Sequence, residues 1–185
     1  MARATLGLVM VLGLAVANAH ADFAIKNAAP RLQNRVVHVD TRFELSLNPK
    51  TEEALHKGIP LELVIDFQLV RERRWWTDRV ITDLQLRRRL QFHALSRQYM
   101  VLEARPGGPA ESFTTLDQAL AHLGDFSDFD IPLTARKQIL PDARHLLAVR
   151  AYLNIEALPA LMRPLAYATP SWYLGTGWSE WPVQP

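Results

Sequence analysis

From residue 37 to residue 47 the chain alternates. Val37, Val39, Thr41, Phe43, Leu45 and Leu47 share one parity, and His38, Asp40, Arg42, Glu44 and Ser46 share the other. A period of two sends the two sets to opposite faces of an extended chain, so this segment reads as a strand with one dry face and one wet face. The pattern recurs in a second strand, where Ile59, Leu61, Leu63, Ile65, Phe67 and Leu69 line one side and Glu62, Asp66 and Gln68 stand among those opposite. Val80, Thr82, Leu84, Leu86, Leu90 and Phe92 line a third, and Arg88 interrupts that parity, which predicts a bulge or a strand end there. Residues 99–102, 126–133, 145–155 and 171–181 bring the extended segments to about seven.

Helices are short in this reading. Asn48-Pro49 supplies a cap and a first-turn proline for a helix to Lys57, with Gly58 placed to end it. Thr114 or Thr115 caps a second, striped by Leu116, Ala119, Leu120 and Leu123 and stopped by Gly124. A further helical turn is expected over residues 156–162, before Pro164, and turns over residues 71–78 and at Pro106-Gly107-Gly108-Pro109. Parallel βαβ units need longer crossovers than these. The expected fold is therefore all-β with short helices, an antiparallel immunoglobulin-like β-sandwich of about seven strands, in a single domain over residues 22–185.

The N-terminus has a different character. Arg3, the uncharged apolar run over residues 6–16 and Ala19-His20-Ala21 follow the charged, hydrophobic and small-x-small order of a secretory signal peptide. Residues 1–21 are expected to be that peptide, cleaved after Ala21, with Ala19 as the competing site. The apolar run is shorter than the roughly 20 residues of a membrane span, so no integral membrane segment is expected after cleavage. The expected location is the periplasm. Removing 21 of 185 residues leaves 164, and losing Arg3 leaves 20 basic against 19 acidic residues, a net charge of +1. That balance argues against a nucleic-acid partner, whose footprint is a strong basic excess. With no cysteine there is neither a disulfide framework nor thiolate chemistry, so stability rests on the core.

No motif specifies a catalytic, cofactor or metal site. His38 and Asp40 project from one side of a strand, a spacing open to a metal pair or a base with its orienting carboxylate, but alternation alone also produces it. His56, His93, His122 and His145 are scattered, with no HxH or HExxH spacing. Asp125, Asp128 and Asp130 lack the glycine and distal glutamate of an EF-hand loop and read as a turn-forming cluster. Ser96 and Ser112 sit in no GxSxG elbow, and Gly175-Thr-Gly177 is too short to cradle phosphate. In Arg87-Arg88-Arg89, alternation sends the middle arginine to the face opposite its neighbours. The stronger candidates join arginine to indole: Arg73, Arg74, Trp75 and Trp76, then Trp178 and Trp181 near the C-terminus, beside Trp172. Such groups form a partner surface or fill a core, and the sequence leaves both readings open.

The chain resembles a family of exported bacterial proteins, domain of unknown function 4390. The resemblance runs through Gly58-Ile59-Pro60-Leu61 and Arg73-Arg74-Trp75-Trp76, then Leu90-Gln-Phe92-His-Ala-Leu-Ser96-Arg-Gln-Tyr99. It continues in Phe113-Thr-Thr-Leu116-Asp-Gln-Ala-Leu120 and Leu158-Pro159-Ala-Leu161, and ends in the stretch from Trp172 to Trp181. It implies a small envelope protein, often encoded beside an envelope-sensing histidine kinase, and brings no catalytic residue with it. The expectation is a non-enzymatic interaction module with an envelope protein as partner. A periplasmic small-ligand or glycan binding protein, or a hydrolase, is the alternative.

Overall fold

The computed structural model describes residues 23–34, 36–72, 79–103, 108–133 and 143–184. The expected signal peptide and the Arg73 to Trp76 candidates lie outside them.

The alternating segments form an antiparallel β-sandwich. Strands β1 (Phe23–Gln33), β2 (Val36–Leu45) and β7 (Asp125–Pro132) make one sheet in the order β1-β2-β7. The other holds β3 (Leu61–Arg71), β4 (Arg79–His93), β5 (Gln98–Glu103), β6 (Ala110–Phe113), β8 (His145–Leu153) and β9 (Ser179–Pro182), in the order β6-β5-β4-β3-β8-β9. Every strand pair is antiparallel. The inward parity of each strand builds the core: Val37, Val39 and Phe43 from β2 face Leu63, Ile65, Phe67 and Leu69 from β3, all buried. Phe67 stacks on Phe129 with ring centroids 5.3 Å apart, and Phe126 meets Phe43 edge-on at 5.8 Å, so aromatic rings from both sheets interlock. Side chains of this size each stabilise the fold by about 1.5–3 kcal/mol when removed from water.

Nine strands form among the described residues, where alternation indicated about seven. The additional ones are those with the weakest pattern. β1 carries a bulge between Ile25 and Asn27 and the run Ala28-Ala29-Pro30, and β6 is four residues long. The last extended segment is shorter than expected: Pro170–Trp172 is a 3₁₀ turn, and pairing with β8 resumes at Ser179.

Helix α1 (Pro49–His56) starts where Asn48 accepts hydrogen bonds from the backbone N–H groups of Lys50 and Thr51, and Gly58 follows it at φ +83°. Helix α2 (Leu116–Leu123) is capped by Thr115 and covers one open end of the sandwich with Ala119, Leu120 and Leu123. Pro164, expected to follow a helical turn, instead opens helix α3 (Arg163–Ala168), because a proline in the first turn forfeits no intrahelical bond. Only a 3₁₀ turn, Ile155–Ala157, precedes it.

Arg88 causes neither bulge nor strand end. The β3–β4 register runs unbroken past Arg88↔Leu63, and its irregularity falls instead between Leu69 and Val70. Arg88 stays on the inward parity. Its Nη1 donates to the carbonyls of His122, Leu123 and Asp125 at 3.0, 3.2 and 3.0 Å, and the guanidinium lies 4.0 Å over the Phe126 ring. The carbonyls at the end of α2 and the start of β7 supply the partners that a half-buried arginine requires.

Candidate functional site

The outer face of the larger sheet is polar, and at its centre it is buried. β3 runs through the middle, and its even positions place Glu62 and Asp66 under the side chains of both neighbouring strands. From β4, Arg89 reaches Glu62 Oε2 at 3.3 Å and Arg87 lies 3.6 Å from Oε1. Asn154 donates to the same Oε1 at 2.9 Å. Gln85 donates to Asp66 Oδ1 at 2.8 Å, and from β8 Arg150 places Nε and Nη2 both 2.7 Å from Oδ2. Opposite charges and fixed donors let two carboxylates sit with little exposure on what alternation marks as the wet side.

Arg150 then carries the chemistry to the surface. Its guanidinium lies 4.5 Å from the Trp178 ring and 5.0 Å from the Tyr152 ring, a tryptophan–arginine–tyrosine stack resting on Asp66. The Tyr152 phenol is held above its ordinary pKa, first by burial and then by the nearby Asp66 charge. Trp178 arrives on a strap that docks along the edge of β8. Leu153 N–H donates to Leu174 O at 2.9 Å, Thr176 N–H to Ala151 O at 2.8 Å, and Ala151 N–H to Thr176 Oγ1 at 3.0 Å. Gly175 makes this possible: a Cβ there would stand 3.0 Å from both Ala151 O and Tyr152 Cβ. The Gly-Thr-Gly sequence therefore positions an indole.

Beside the stack lies an open cleft of about 470 Å³, bordered by Arg87, Tyr152, Asn154, Glu156, Tyr167 and Tyr173. Tyr173 donates its hydroxyl to Tyr167 O at 2.8 Å, tying the 3₁₀ turn to α3. Leu161 and Leu165, on the segment that leads into Tyr167, are exposed at 96% and 65%.

The C-terminal tryptophans divide between the two readings. Trp172 is core, Trp181 is half-buried on β9 against the core, and Trp178 is 41% exposed. Arg87 and Arg89 face outward, as alternation requires, and Arg88 inward. On the other sheet, His38 and Asp40 do share a face. His38 Nδ1 lies 2.5 Å from Asp130 Oδ1, and Asp40 accepts from Arg31 Nη2 at 2.7 Å and from the Asp128 N–H at 2.9 Å. Asp125 behaves as a turn residue, accepting from Ser127 N–H at 3.0 Å, with its pKa lowered chiefly by the Ser127 hydroxyl. His93 and Ser96 are 3.1 Å apart on an exposed turn. No helix among the described residues is long and apolar enough to cross a membrane.

Fold and site together define an antiparallel β-sandwich domain with an arginine–aromatic face on its larger sheet. Residues 20–182 match the family model described as Domain of unknown function (DUF4390), and the chain belongs to that family. No curated protein and no solved structure matches the chain.

Proposed function

We propose that this protein is an exported, non-enzymatic interaction module of the bacterial envelope that holds a protein partner on the arginine–aromatic face of its larger sheet. One observation carries the reading: Tyr167 and Tyr173 stand exposed at the cleft beside the Arg150 stack, whose outer ring, Trp178, is exposed as well. Aromatic and arginine side chains around an apolar centre are the composition of binding hot spots. Export follows from the signal-peptide order of the first 21 residues. The family resemblance makes the exported region of a sensor histidine kinase the first partner to try.

A pull-down from envelope extract tests this. The wild-type protein is expected to recover a defined protein, and the double variant Trp178→Ala/Tyr173→Ala to lose it while its circular dichroism stays unchanged. Recovery by the folded double variant would place the partner elsewhere. The cleft favours a second reading, a small-ligand or glycan site of a binding protein or hydrolase, since tyrosine rings beside Asn154 and Glu156 suit a sugar. A thermal-shift screen against envelope glycans separates the two: a raised melting temperature supports the second reading, and a flat screen supports the first.

A further inference from the structure

We infer that the outer face of the smaller sheet carries a binding site for one divalent transition-metal ion, held by His38, Asp128 and Asp130. Each offers a ligand atom, an imidazole nitrogen and two carboxylate oxygens, and these atoms lie within 4.8 Å of one another. The backbone brings them together. His38 and Asp130 are direct cross-strand partners in the β2–β7 ladder, whose register slips between Val39 and Thr41. At that slip Asp128 stands opposite Asp40 with φ +56°, a conformation aspartate tolerates better than most residues, and its N–H bonds to the Asp40 carboxylate. Asp128 and Asp130 therefore flank one imidazole.

Charge favours a cation there. Asp40 is neutralised by Arg31 at 2.7 Å. Among the described residues Asp130 pairs with His38 alone, and the Asp128 side chain makes no ion pair or hydrogen bond. With a neutral imidazole the three donors carry two negative charges, which a divalent ion balances. The nitrogen sets this group apart from an ordinary exposed acidic cluster. Oxygen donors alone suit calcium or magnesium, whereas imidazole with carboxylates suits zinc, nickel or copper. Three protein ligands on a half-exposed face leave at least one position for water. Zinc–nitrogen and zinc–oxygen bonds run roughly 2.0–2.2 Å, so binding requires the 2.5 Å contact between His38 and Asp130 to open and the ion to take its place. The bound ion ties β2 to the free edge of the sheet.

Zinc titration of the tag-free full-length domain, followed by calorimetry and by melting temperature, tests the site. The expected result is one ion per chain with a raised melting temperature, and at least about tenfold weaker binding in both His38→Ala and Asp128→Asn. His93→Ala, changed at the exposed end of β4, is expected to bind like wild type. Absence of binding overturns the proposal, and so does binding that both site variants retain. Nickel broadening of histidine ring resonances in the wild-type protein gives a readout independent of any variant. His38 should broaden ahead of His56, His93 and His122, and any other order refutes the site.

Discussion

Two side chains are buried in ways their chemistry opposes, and each exposes a constraint. Arg88 is kept ionised at depth because three backbone carbonyls and an aromatic face replace its water, although burial still lowers its pKa. His145 is handled differently. Its Nε2 has no hydrogen-bond partner among the described residues, and burial, aided by the Arg71 charge, depresses its pKa below the ordinary imidazole value. The folded protein therefore prefers the neutral ring. Above about pH 6.5 both folded and unfolded chains hold it neutral, and the contribution to stability is complete. As the pH falls below that, the unfolded chain takes up a proton that the folded one resists, and stability declines until the depressed folded value is passed. Melting temperature followed from pH 8 to pH 5 is expected to fall more steeply for wild type than for His145→Leu; equal slopes would assign the acid sensitivity to another group.

At the scale of elements, the strap from Tyr173 to Trp178 governs the candidate site. It docks by three hydrogen bonds to the edge of β8 and approaches so closely that a Cβ at Gly175 would stand 3.0 Å from Ala151 O and from Tyr152 Cβ, so a larger residue must push its neighbours aside. Gly175→Val is expected to lift the strap, destabilise the domain by about 1–3 kcal/mol in urea denaturation, and separate Trp178 from Arg150, with a change in near-ultraviolet circular dichroism. An unchanged denaturation midpoint would mean that the strap is not held by close packing. The helices illustrate local coding more directly: Asn48 and Thr115 cap, and Gly58 and Gly124 stop, where their chemistry predicts. α3 shows the limit of that coding, since Pro164 permits a helix to begin as readily as it forbids one to continue.

For the whole molecule, the chain end closes the sandwich. β9 pairs with β8 in the larger sheet, and two residues later Gln184 joins β1 of the smaller one: Leu32 N–H donates to Gln184 O at 2.8 Å and Gln184 N–H to Pro30 O at 3.0 Å. Val183 N–H adds a bond to His145 O at 2.9 Å. One seam is thus sealed, and α2 covers the opposite opening. Removing residues 183–185 forfeits three main-chain bonds at about 1 kcal/mol each. The melting temperature is expected to fall by roughly 6–12 °C, at about 2–4 °C per kcal/mol for a domain of this size. A truncated chain that melts with the wild type would show that the seam contributes nothing. At the free edge of the smaller sheet, β7 is guarded by its bulge, by Asp128 and Asp130, and by Pro132, devices that discourage pairing with another chain.

The sequence alone set the inward parity of β2, of β3 and of β4 from Thr82 onward, the caps of α1 and α2 and the all-β class, because alternation and capping act over a few neighbouring residues; at the register slip Val80 turns outward and Ile81 is buried in its place. It could not decide which strands lie side by side. The Glu62 and Asp66 carboxylates were legible as a polar face, but their burial depends on arginines 25 and 84 residues further along, Arg87 and Arg150. Trp172 lies in the core and Trp178 at the surface, on a strap held by hydrogen bonds to β8 that no local pattern announces. The convergence of His38 with Asp128 and Asp130 joins strands some 90 residues apart in the chain. Each of these is a long-range pairing, and only tertiary structure sets such neighbours, since the side-chain periods that mark a strand carry no label for its partner.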